Sequence, residues 1–287
     1  MKVTVTRTPA EVKEVIKDWK KQGYSIGLVP TMGYLHEGHG SLIKRAVEEN
    51  DKVMVSVFVN PIQFGPNEDL ETYPRDFDAD LKMIESLGAD MVFHPEPSDM
   101  YASDFSTTIS VAGVSENLCG ARRPGHFNGV CTVVTKLFNL SEADRAYFGQ
   151  KDAQQLAVVR RMVRDLNANI EIIGCPIIRE DDGLAKSSRN TYLSSEERKA
   201  ATVLNKALCA GKQMVEEGEK SALTVKSRIE DIISKEPLAK IDYVEITDWN
   251  SIEPVDIIDG SILCAIAVYI GNTRLIDNFI YEVEECN

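Results

Sequence analysis

Apolar and polar residues follow two alternating patterns along the first 175 residues. Short apolar runs predict strands at residues 3–6, 25–30, 53–59, 90–93, 145–148 and 169–174. Segments with helical periodicity between them predict helices at residues 8–23, 41–50, 75–87, 126–140 and 151–166. The run VMVSVFV at residues 53–59 is unbroken, as in a strand covered on both faces. The alternation indicates βαβ units, so the expected fold class is α/β, with a Rossmann-like, doubly wound parallel sheet.

The first predicted helix has clear end signals. Thr8 is a candidate N-cap, Pro9 occupies the first turn and Glu11 can complete a capping box. Gly23 is a natural residue for the C-terminal end. In a parallel sheet of this kind, ligands lie at the carboxyl ends of the strands.

The pattern changes after about residue 177. Ser194 and Glu197 form a capping box that predicts a long amphipathic helix, and a second helix follows near 221–235. Strand-like runs occupy residues 241–247, 262–270 and 274–280, and the last two flank a hairpin turn at Gly271. We therefore predict two domains, a Rossmann-like domain over residues 1–177 and a smaller α+β domain over 178–287.

Composition excludes several classes of protein. The formal net charge of -13 gives no general attraction to nucleic acids or anionic membranes. The six cysteines form no C-x-x-C pair, so we expect them to be buried apolar residues and not zinc or redox ligands. No apolar run approaches the roughly 20 residues of a membrane helix or resembles a signal peptide. The expectation is a cytoplasmic protein that binds neither nucleic acid nor membrane.

The strongest chemical signal is the string PTMGYLHEGH at residues 30–39. It lies between a predicted strand and a predicted helix, where backbone N–H groups and a helix N-terminus can bind phosphate. Gly33 and Gly38 permit close backbone approach, and His36 and His39 could reach one polyphosphate. The alternatives are a pair of surface or capping histidines, or a metal site for which H-x-x-H supplies only two ligands.

This string resembles the HxGH signature of the adenylate-forming nucleotidyltransferases, and its wider context resembles one member family, the pantothenate synthetases (pantoate–β-alanine ligases). Further blocks agree in order and spacing: FVNPIQFG at residues 58–65, RPGHF at 123–127, FGQKDAQQL at 148–156 and GLAKSSRN at 183–190. The resemblance covers residues 3 to about 193, with TRLIDN at 273–278 in keeping with it. Several ordered blocks are far more specific than a single motif.

The resemblance implies that the chain condenses pantoate with β-alanine at the expense of ATP, through a pantoyl-adenylate, releasing AMP and pyrophosphate, with Mg²⁺. The protein ligands of the metal are unknown. The implied ATP-binding residues are Met32, Gly33, Tyr34, Leu35, His36, Glu37, Gly38, His39, Gly149, Gln150, Lys151, Asp152, Ile178, Lys186, Ser187, Ser188 and Arg189. The implied pantoate-binding residues are Gln63 and Gln155, with Gln63 also contacting β-alanine.

The resemblance also implies individual roles, and the chemistry of these side chains suits them. His36, His39 and Lys151 are the candidate catalytic residues, because charge develops on the phosphoryl oxygens and fixed donors stabilise it there. His39 is the preferred proton donor, and Asp152 is assigned to the ribose. The neutral amides of Gln63 and Gln155 would orient the pantoate carboxylate without holding its charge as tightly as a bidentate arginine. The alternatives are a solvated lysine at a helix start and surface glutamines.

The remaining implications concern loops and assembly. Residues 187–189 resemble the mobile phosphate-clamping loop of the superfamily, and the backbone of Ile178 is expected to meet adenine. Residues 65–74 are either a lid over the substrate pockets or a solvated loop. The C-terminal domain is expected to close over the ATP site, and the family implies a homodimer.

The chain departs from the family pattern at Gly40, Gln150 and Lys186, where a larger apolar residue, an acidic residue and Met or Leu are usual. Competing hypotheses are another nucleotidyl-transferring enzyme of the superfamily or a nucleotide-sensing protein without catalysis. Length and net charge argue against a tRNA synthetase.

Overall fold

The computed structural model describes residues 2–66 and 68–283 and divides into two compact units. The first unit contains the described residues up to Ala112 together with Arg122–Gln150 and Val158–Pro176. The second contains Gly113–Ala121, Lys151–Ala157 and the described residues from Ile177 onward. Two short segments that precede residue 177 therefore belong to the second unit.

A six-stranded parallel sheet organises the described part of the first unit. Its strands are β1 (Thr4–Thr6), β2 (Ile26–Thr31), β3 (Lys52–Val57), β4 (Met91–Phe93), β5 (Arg145–Gly149) and β6 (Glu171–Cys175). The spatial order is β1-β4-β3-β2-β5-β6, which confirms the predicted Rossmann-like fold class. The order reverses at β2, which pairs with β3 on one side and β5 on the other. The carboxyl ends of β2 and β5 therefore form the switch point where such sheets bind ligands.

Helices flank this sheet. Along the first 176 residues the helices are α1 (Pro9–Lys21), α2 (Glu37–Glu49), α3 (Phe77–Leu87), α4 (Pro97–Met100), α5 (Leu118–Arg122), α6 (His126–Ser141) and α7 (Ala153–Asp165). Of these, α5 up to Ala121 and α7 up to Ala157 belong to the second unit. Ile43 of α2 and Ile84 of α3 are fully buried against Val29 and Val55 of the sheet. Helices α1 and α6 pack against each other, and α6 lies against β2. The apolar runs of the central strands thus form a core covered by helices, as parallel strands require.

The predicted N-terminal cap of α1 agrees with the structure in detail, whereas α2 and α7 begin at other residues than predicted. The Thr8 side chain accepts from Glu11 N–H at 3.3 Å, and Glu11 accepts from Thr8 N–H at 3.1 Å, so the capping box forms. Helix α2 begins at Glu37, four residues before the predicted start at Ser41, because His36 caps it. Helix α7 begins at Ala153 because the three residues before it form a 3-10 turn.

The second unit carries the predicted α+β elements. Its helices are α8 (Ser195–Ala200), α9 (Val203–Glu216) and α10 (Ala222–Ile233), and its strands are β7 (Ala239–Asp248), β8 (Ile262–Ile270) and β9 (Thr273–Tyr281). The strands form an antiparallel sheet in the order β7-β8-β9, and helices α9 and α10 pack on it around a shared apolar core.

One predicted helix is divided in two. The segment expected to form a single long helix from Ser194 breaks between α8 and α9. Both the N–H and the hydroxyl of Thr202 bond to the carbonyl of Lys199, at 3.3 and 2.9 Å. This local side-chain bond competes with the helical ladder and tightens the chain into a turn.

The cysteines follow the expected burial with one exception. Cys119, Cys131, Cys175 and Cys264 are buried, whereas Cys209 is exposed on α9. Cys286 lies outside the described residues.

Candidate active site

The turn that follows β2, residues 32–39 (the His turn), is built from the sheet edge. Thr31 ends β2, donates its hydroxyl to Ser56 O at 2.6 Å and accepts from Gly33 N–H at 3.2 Å. Gly33 and Tyr34 then adopt left-handed backbone conformations, with φ of 84° and 52°. A β-carbon at Gly33 would also come within 3.0 Å of Asp80 Oδ2, so glycine is required for both conformation and space.

A buried carboxylate of α3 holds the His turn from beneath. Asp80 accepts from Tyr34 N–H at 2.8 Å and from Leu35 N–H at 2.6 Å. Burial raises its pKa above the ordinary value, while the two N–H donors oppose that rise. Sequence reasoning missed Asp80. The available signal was an acidic residue one helical turn before Ile84, on the face of α3 that packs into the core.

The two histidines of the His turn cap helix α2. His36 Nδ1 accepts from Gly38 N–H at 3.1 Å, and His39 Nδ1 accepts from His36 N–H at 3.3 Å. The ring centroids lie 4.2 Å apart. Because each Nδ1 accepts a hydrogen bond, each neutral ring carries its proton on Nε2. The capping alternative is therefore correct as a structural description, and it fixes the tautomer that makes Nε2 a donor.

Gln63 occupies a short 3-10 turn after β3, Pro61–Gln63, and it is buried. Its Oε1 accepts from Asn60 Nδ2 at 3.0 Å, and its Nε2 lies 3.1 Å from the sulfur of Met32. Asn60 is itself only 1% exposed and accepts from the Tyr101 hydroxyl at 2.7 Å. Gln63 is thus a buried, oriented amide and not a surface glutamine. Sequence reasoning did not identify Asn60 as its support.

A charged chain fixes the backbone at Gln63. Glu68 receives two hydrogen bonds from Arg123, at 2.6 and 2.7 Å, and Arg123 Nη1 lies 3.0 Å from His126 Nε2. Arginine can only donate, so His126 Nδ1–H donates to Gln63 O at 2.9 Å. Burial favours the protonated carboxyl of Glu68, but Arg123 outweighs it and the pKa lies below the ordinary value.

The segment at residues 65–74 carries Glu68. Tyr73 is buried in it, with its ring centroid 6.0 Å from that of Phe64. Glu68 and Tyr73 thus anchor the segment. Asn67 lies outside the described residues. The role of the segment as a lid stays a prediction.

Lys151 and Asp152 lie in the 3-10 turn that follows β5, directly after Gly149 and Gln150. The Lys151 side chain is 20% exposed, and its ammonium lies 3.8 Å from Asp152 Oδ2. Gln155 is half-buried in the first turn of α7. Its neighbour Gln154 is buried and bonds to Cys119 N, Val114 O and Asn117 O at 2.7–3.0 Å. Sequence reasoning had no signal for that contact with a distant segment.

A hairpin over residues 178–186 leads into the second segment that the sequence predicts to bind phosphate. Lys186 N–H donates to Ile178 O at 2.9 Å, and Glu180 N–H donates to Leu184 O at 2.8 Å. The ammonium of Lys186 pairs with Glu180 across the hairpin at 3.0 Å, with 17% of the lysine side chain exposed. Lys186 is therefore not a freely solvated lysine.

The residues that follow, 187–190, form the Ser–Arg loop. Ser187 caps a 3-10 helix, Ser188–Tyr192, by accepting from Arg189 N–H at 3.3 Å. Ser188 is buried, Arg189 is half-buried, and Asn190 donates to Ala185 O at 3.1 Å. The loop is thus tied to the base of the hairpin by its last residue.

The site residues fall into two groups. The first unit brings the His turn, Gln63, Gly149 and Gln150 to the carboxyl ends of its central strands. Lys151, Asp152, Gln155, Ile178 and residues 186–189 belong to the second unit.

Two features of the described residues bear on other functions. Within residues 2–66 and 68–283, no three His, Cys, Asp or Glu side chains converge as a metal-binding group. Among the described helices, none has both the length and the apolar character needed to cross a membrane.

Comparisons with known proteins agree with each other. A model of the pantoate-beta-alanine ligase family matches residues 4–280. The pantothenate synthetase of Clostridium acetobutylicum is 63% identical over 274 residues, which cover 96% of this chain and 98% of that protein. The pantothenate synthetase of Enterococcus faecalis is 57% identical over 282 residues, covering 98% and 100%.

Solved structures extend the similarity to the fold. The crystal structure of pantothenate synthetase from Thermus thermophilus aligns with a TM-score of 0.92 at 43% identity, over 96% of this chain and 99% of that one. The pantoate-beta-alanine ligase of Francisella tularensis, solved with beta-gamma ATP and beta-alanine, aligns with a TM-score of 0.78 at 34% identity, over 97% of each chain.

Proposed function

The chain belongs to the pantoate–β-alanine ligase family, and from that premise we propose how its residues carry out the reaction. The protein is a ligase that uses ATP to join pantoate to β-alanine and form pantothenate. The observation that supports the assignment of residues is the geometry of the His turn. It presents a helix N-terminus and two histidines, each protonated on Nε2, at the switch point of a parallel sheet.

In the first step, we propose, a carboxylate oxygen of pantoate attacks the α-phosphorus of ATP. The bond from that phosphorus to the bridging oxygen breaks, and pyrophosphate leaves. His36 and His39 donate from Nε2 to phosphate oxygens, with His39 as the preferred proton donor, and Lys151 adds a point charge. Donors fixed before the reaction stabilise the developing charge without reorganisation.

Gln63 orients the pantoate carboxylate. Its amide is held by Asn60 and its backbone by the contact with His126, so it requires little ordering when the substrate binds. A neutral amide leaves the carboxylate nucleophilic, whereas a bidentate guanidinium would stabilise its charge. Gln155 is assigned to the same substrate.

In the second step, the amine of β-alanine attacks the carbonyl carbon of the pantoyl-adenylate. The bond to AMP breaks, and the nitrogen loses a proton as the amide forms. Gln63 is assigned to β-alanine as well as to pantoate. Residues 187–189 are assigned to the β- and γ-phosphates, Asp152 to the ribose, and the backbone of Ile178 to adenine.

Mg²⁺ fits this arrangement as a partner of the nucleotide. The described residues contain no convergent group of three or more ligating side chains, and protein-bound Mg²⁺ is commonly held by phosphates, waters and one or two carboxylates. Bound to the nucleotide, the metal would neutralise phosphate charge. A homodimer and a cytoplasmic location are further parts of the proposal.

The reaction class is tested by following the phosphorus-containing products. Phosphorus NMR of a mixture with ATP, pantoate and β-alanine should show AMP and pyrophosphate. Pantoate without β-alanine should support exchange of labelled pyrophosphate into ATP, since the adenylate forms reversibly before the amine is needed. Formation of ADP and phosphate would contradict the proposal, as would exchange that requires β-alanine.

The pantoate assignment has its own test. Gln63→Ala and Gln155→Ala should each weaken pantoate binding at least tenfold while ATP binding changes less than twofold, because neither amide is assigned to ATP. Isothermal calorimetry with ATP and pantoate titrated separately measures both. Gln154→Ala is a matched control on the same helix turn, since its amide bonds to backbone groups. Unchanged pantoate affinity in both variants would remove them from the pocket.

A further inference from the structure

Strand β9 carries an unusual pair of polar residues at its centre. Leu275 and Phe279 are buried on the face that packs into the apolar core, and Asp277 lies between them at the same strand periodicity. Asp277 is only 2% exposed and its neighbour Asn278 only 4%. Burial of a carboxylate on an apolar face is costly unless the charge is paired, so its partner is informative.

Asp277 binds the base of the 178–186 hairpin. Arg179 donates to both of its carboxylate oxygens, at 2.7 and 3.0 Å, and also to Gly183 O at 3.0 Å. A single guanidinium therefore joins β9 to the first strand of the hairpin and to its turn. The hairpin continues directly into the Ser–Arg loop, which Asn190 ties back to Ala185 O.

Asn278 binds a different segment. Adjacent residues of a strand face opposite sides, and the Asn278 amide donates to Lys151 O at 2.9 Å. Its own backbone N–H donates to Asp277 Oδ1 at 2.8 Å, so the two residues are linked. Two consecutive residues of β9 thus anchor the Lys151 turn and the hairpin that carries the Ser–Arg loop.

We propose that Asp277 and Asn278 are positioning residues that set the placement of Lys151 and of the Ser–Arg loop relative to each other for adenylate formation. The inference rests on the proposed function, in which both segments bind ATP. A buried ion pair is weak evidence for stability, because apolar replacements are often as stable. A phosphate-binding site, in contrast, requires its donors to be held at fixed positions.

The test compares Asp277→Asn with Leu275→Ala. Asparagine has the same shape and keeps an acceptor for Asn278 N–H, and the Arg179 side chain, 27% exposed, retains access to water. Leu275→Ala lies on the same face two residues earlier and perturbs packing only. Thermal unfolding, kcat and the KM values of ATP and pantoate are measured for each.

Asp277→Asn and Asn278→Ala should each lower kcat/KM for ATP at least tenfold, with less than a twofold change in the KM of pantoate. Pantoate-dependent pyrophosphate exchange should fall by the same factor. Leu275→Ala should lower the unfolding temperature while kcat/KM for ATP stays within twofold. Asn278→Ser, which keeps a donor for Lys151 O, should recover part of the loss.

Two outcomes would overturn the positioning role. One is unchanged ATP kinetics in folded Asp277→Asn and Asn278→Ala. The other is a fall in kcat/KM for ATP in Leu275→Ala that equals the fall in Asp277→Asn and Asn278→Ala when the variants are equally stable. If Asp277→Asn does not fold, Asn278→Ala and Asn278→Ser decide the question. Lys151→Ala and Arg189→Ala separate this proposal from the proposed function: if neither affects the use of ATP, the assignment of those residues fails, whatever β9 does.

Discussion

The His turn and the Ser–Arg loop are both assigned to ATP, yet they are held by different kinds of contact. The His turn is fixed by backbone N–H groups that meet Thr31, His36, His39 and the buried Asp80. Backbone hydrogen bonds close the hairpin that carries the Ser–Arg loop, and side-chain ion pairs hold it further. Arg179 pairs with Asp277, 98 residues away. Lys186 pairs with Glu180 within the hairpin, and Asp182 pairs with Arg198.

The difference implies different rigidity. A buried N–H that loses its acceptor costs about 1–3 kcal/mol, whereas an exposed ion pair contributes roughly 0–1 kcal/mol. The contacts of the His turn are therefore expensive to break, and most of those of the hairpin are readily exchanged for water. We expect the His turn to be preorganised and the Ser–Arg loop to change position more easily, as a segment that must admit and release a nucleotide requires.

The largest effect should come from removing a donor of the His turn. His39→Ala should cut turnover by on the order of 100-fold or more, with a smaller change in the KM of ATP, because the contact acts mainly in the transition state. Steady-state AMP release measures both parameters. His39→Asn keeps an acceptor for His36 N–H and should be equally slow. Near-normal turnover in both would leave His39 as a capping residue only.

Removal of Asp80, the buried carboxylate beneath the His turn, should lower the free energy of unfolding. Asp80→Ala leaves the partly buried N–H groups of Tyr34 and Leu35 without their acceptor, at no more than about 1–3 kcal/mol for each. Urea unfolding monitored by circular dichroism measures the loss. Asp78→Ala is the matched control, since Asp78 is exposed in the first turn of the same helix and should cost no more than about 1 kcal/mol. Equal losses in the two variants would contradict the role of Asp80.

In the hairpin that carries the Ser–Arg loop, Lys186→Met should have a small effect on turnover. Lys186 is engaged with Glu180, so we expect turnover to fall less than about tenfold, the range of an exposed charge contact. Kinetics at low and high salt, with Arg189→Lys in parallel, provide the measurement. A larger fall in Lys186→Met, with Arg189→Lys falling further still, would mean that Lys186 leaves Glu180 to hold the departing pyrophosphate.

The smallest effect concerns the tip of the hairpin. Hydrogen bonds from Arg198 hold the pKa of Asp182 below its ordinary value of 3.8. The pair therefore stabilises the fold above that pH, and its contribution is lost as pH falls through the lowered pKa. Because 47% of the Asp182 side chain is exposed, screening limits the contribution to well under about 1 kcal/mol.

Thermal unfolding of the native chain and of Asp182→Asn should differ slightly at about pH 6 and converge as the pH falls below the ordinary pKa of 3.8. A difference that does not depend on pH would show that the pair does not act through its charge.

Much of the local structure was readable from the sequence. The capping box at Thr8 and Glu11 formed as predicted, and so did the one at Ser194 and Glu197. The alternation of strands and helices predicted the correct fold class, because periodicity and capping depend on residues a few positions apart. Sequence analysis missed the break at Thr202, because the Thr202 hydroxyl forms a local hydrogen bond that the pattern of apolar residues does not indicate.

The candidate site likewise has one part that the sequence predicts and another that depends on tertiary structure. Sequence alone predicted which segments carry the chemistry: the string around His36 and His39, the turn at Lys151 and the residues before Asn190. Only the tertiary structure decided what holds them. It set the strand order that brings the ends of β2 and β5 together, and it placed Asp80 under the His turn and Asp277 at Arg179. Those contacts join residues 45 to 98 positions apart. Packing of distant elements fixes them, and no local pattern in the chain encodes such a distance.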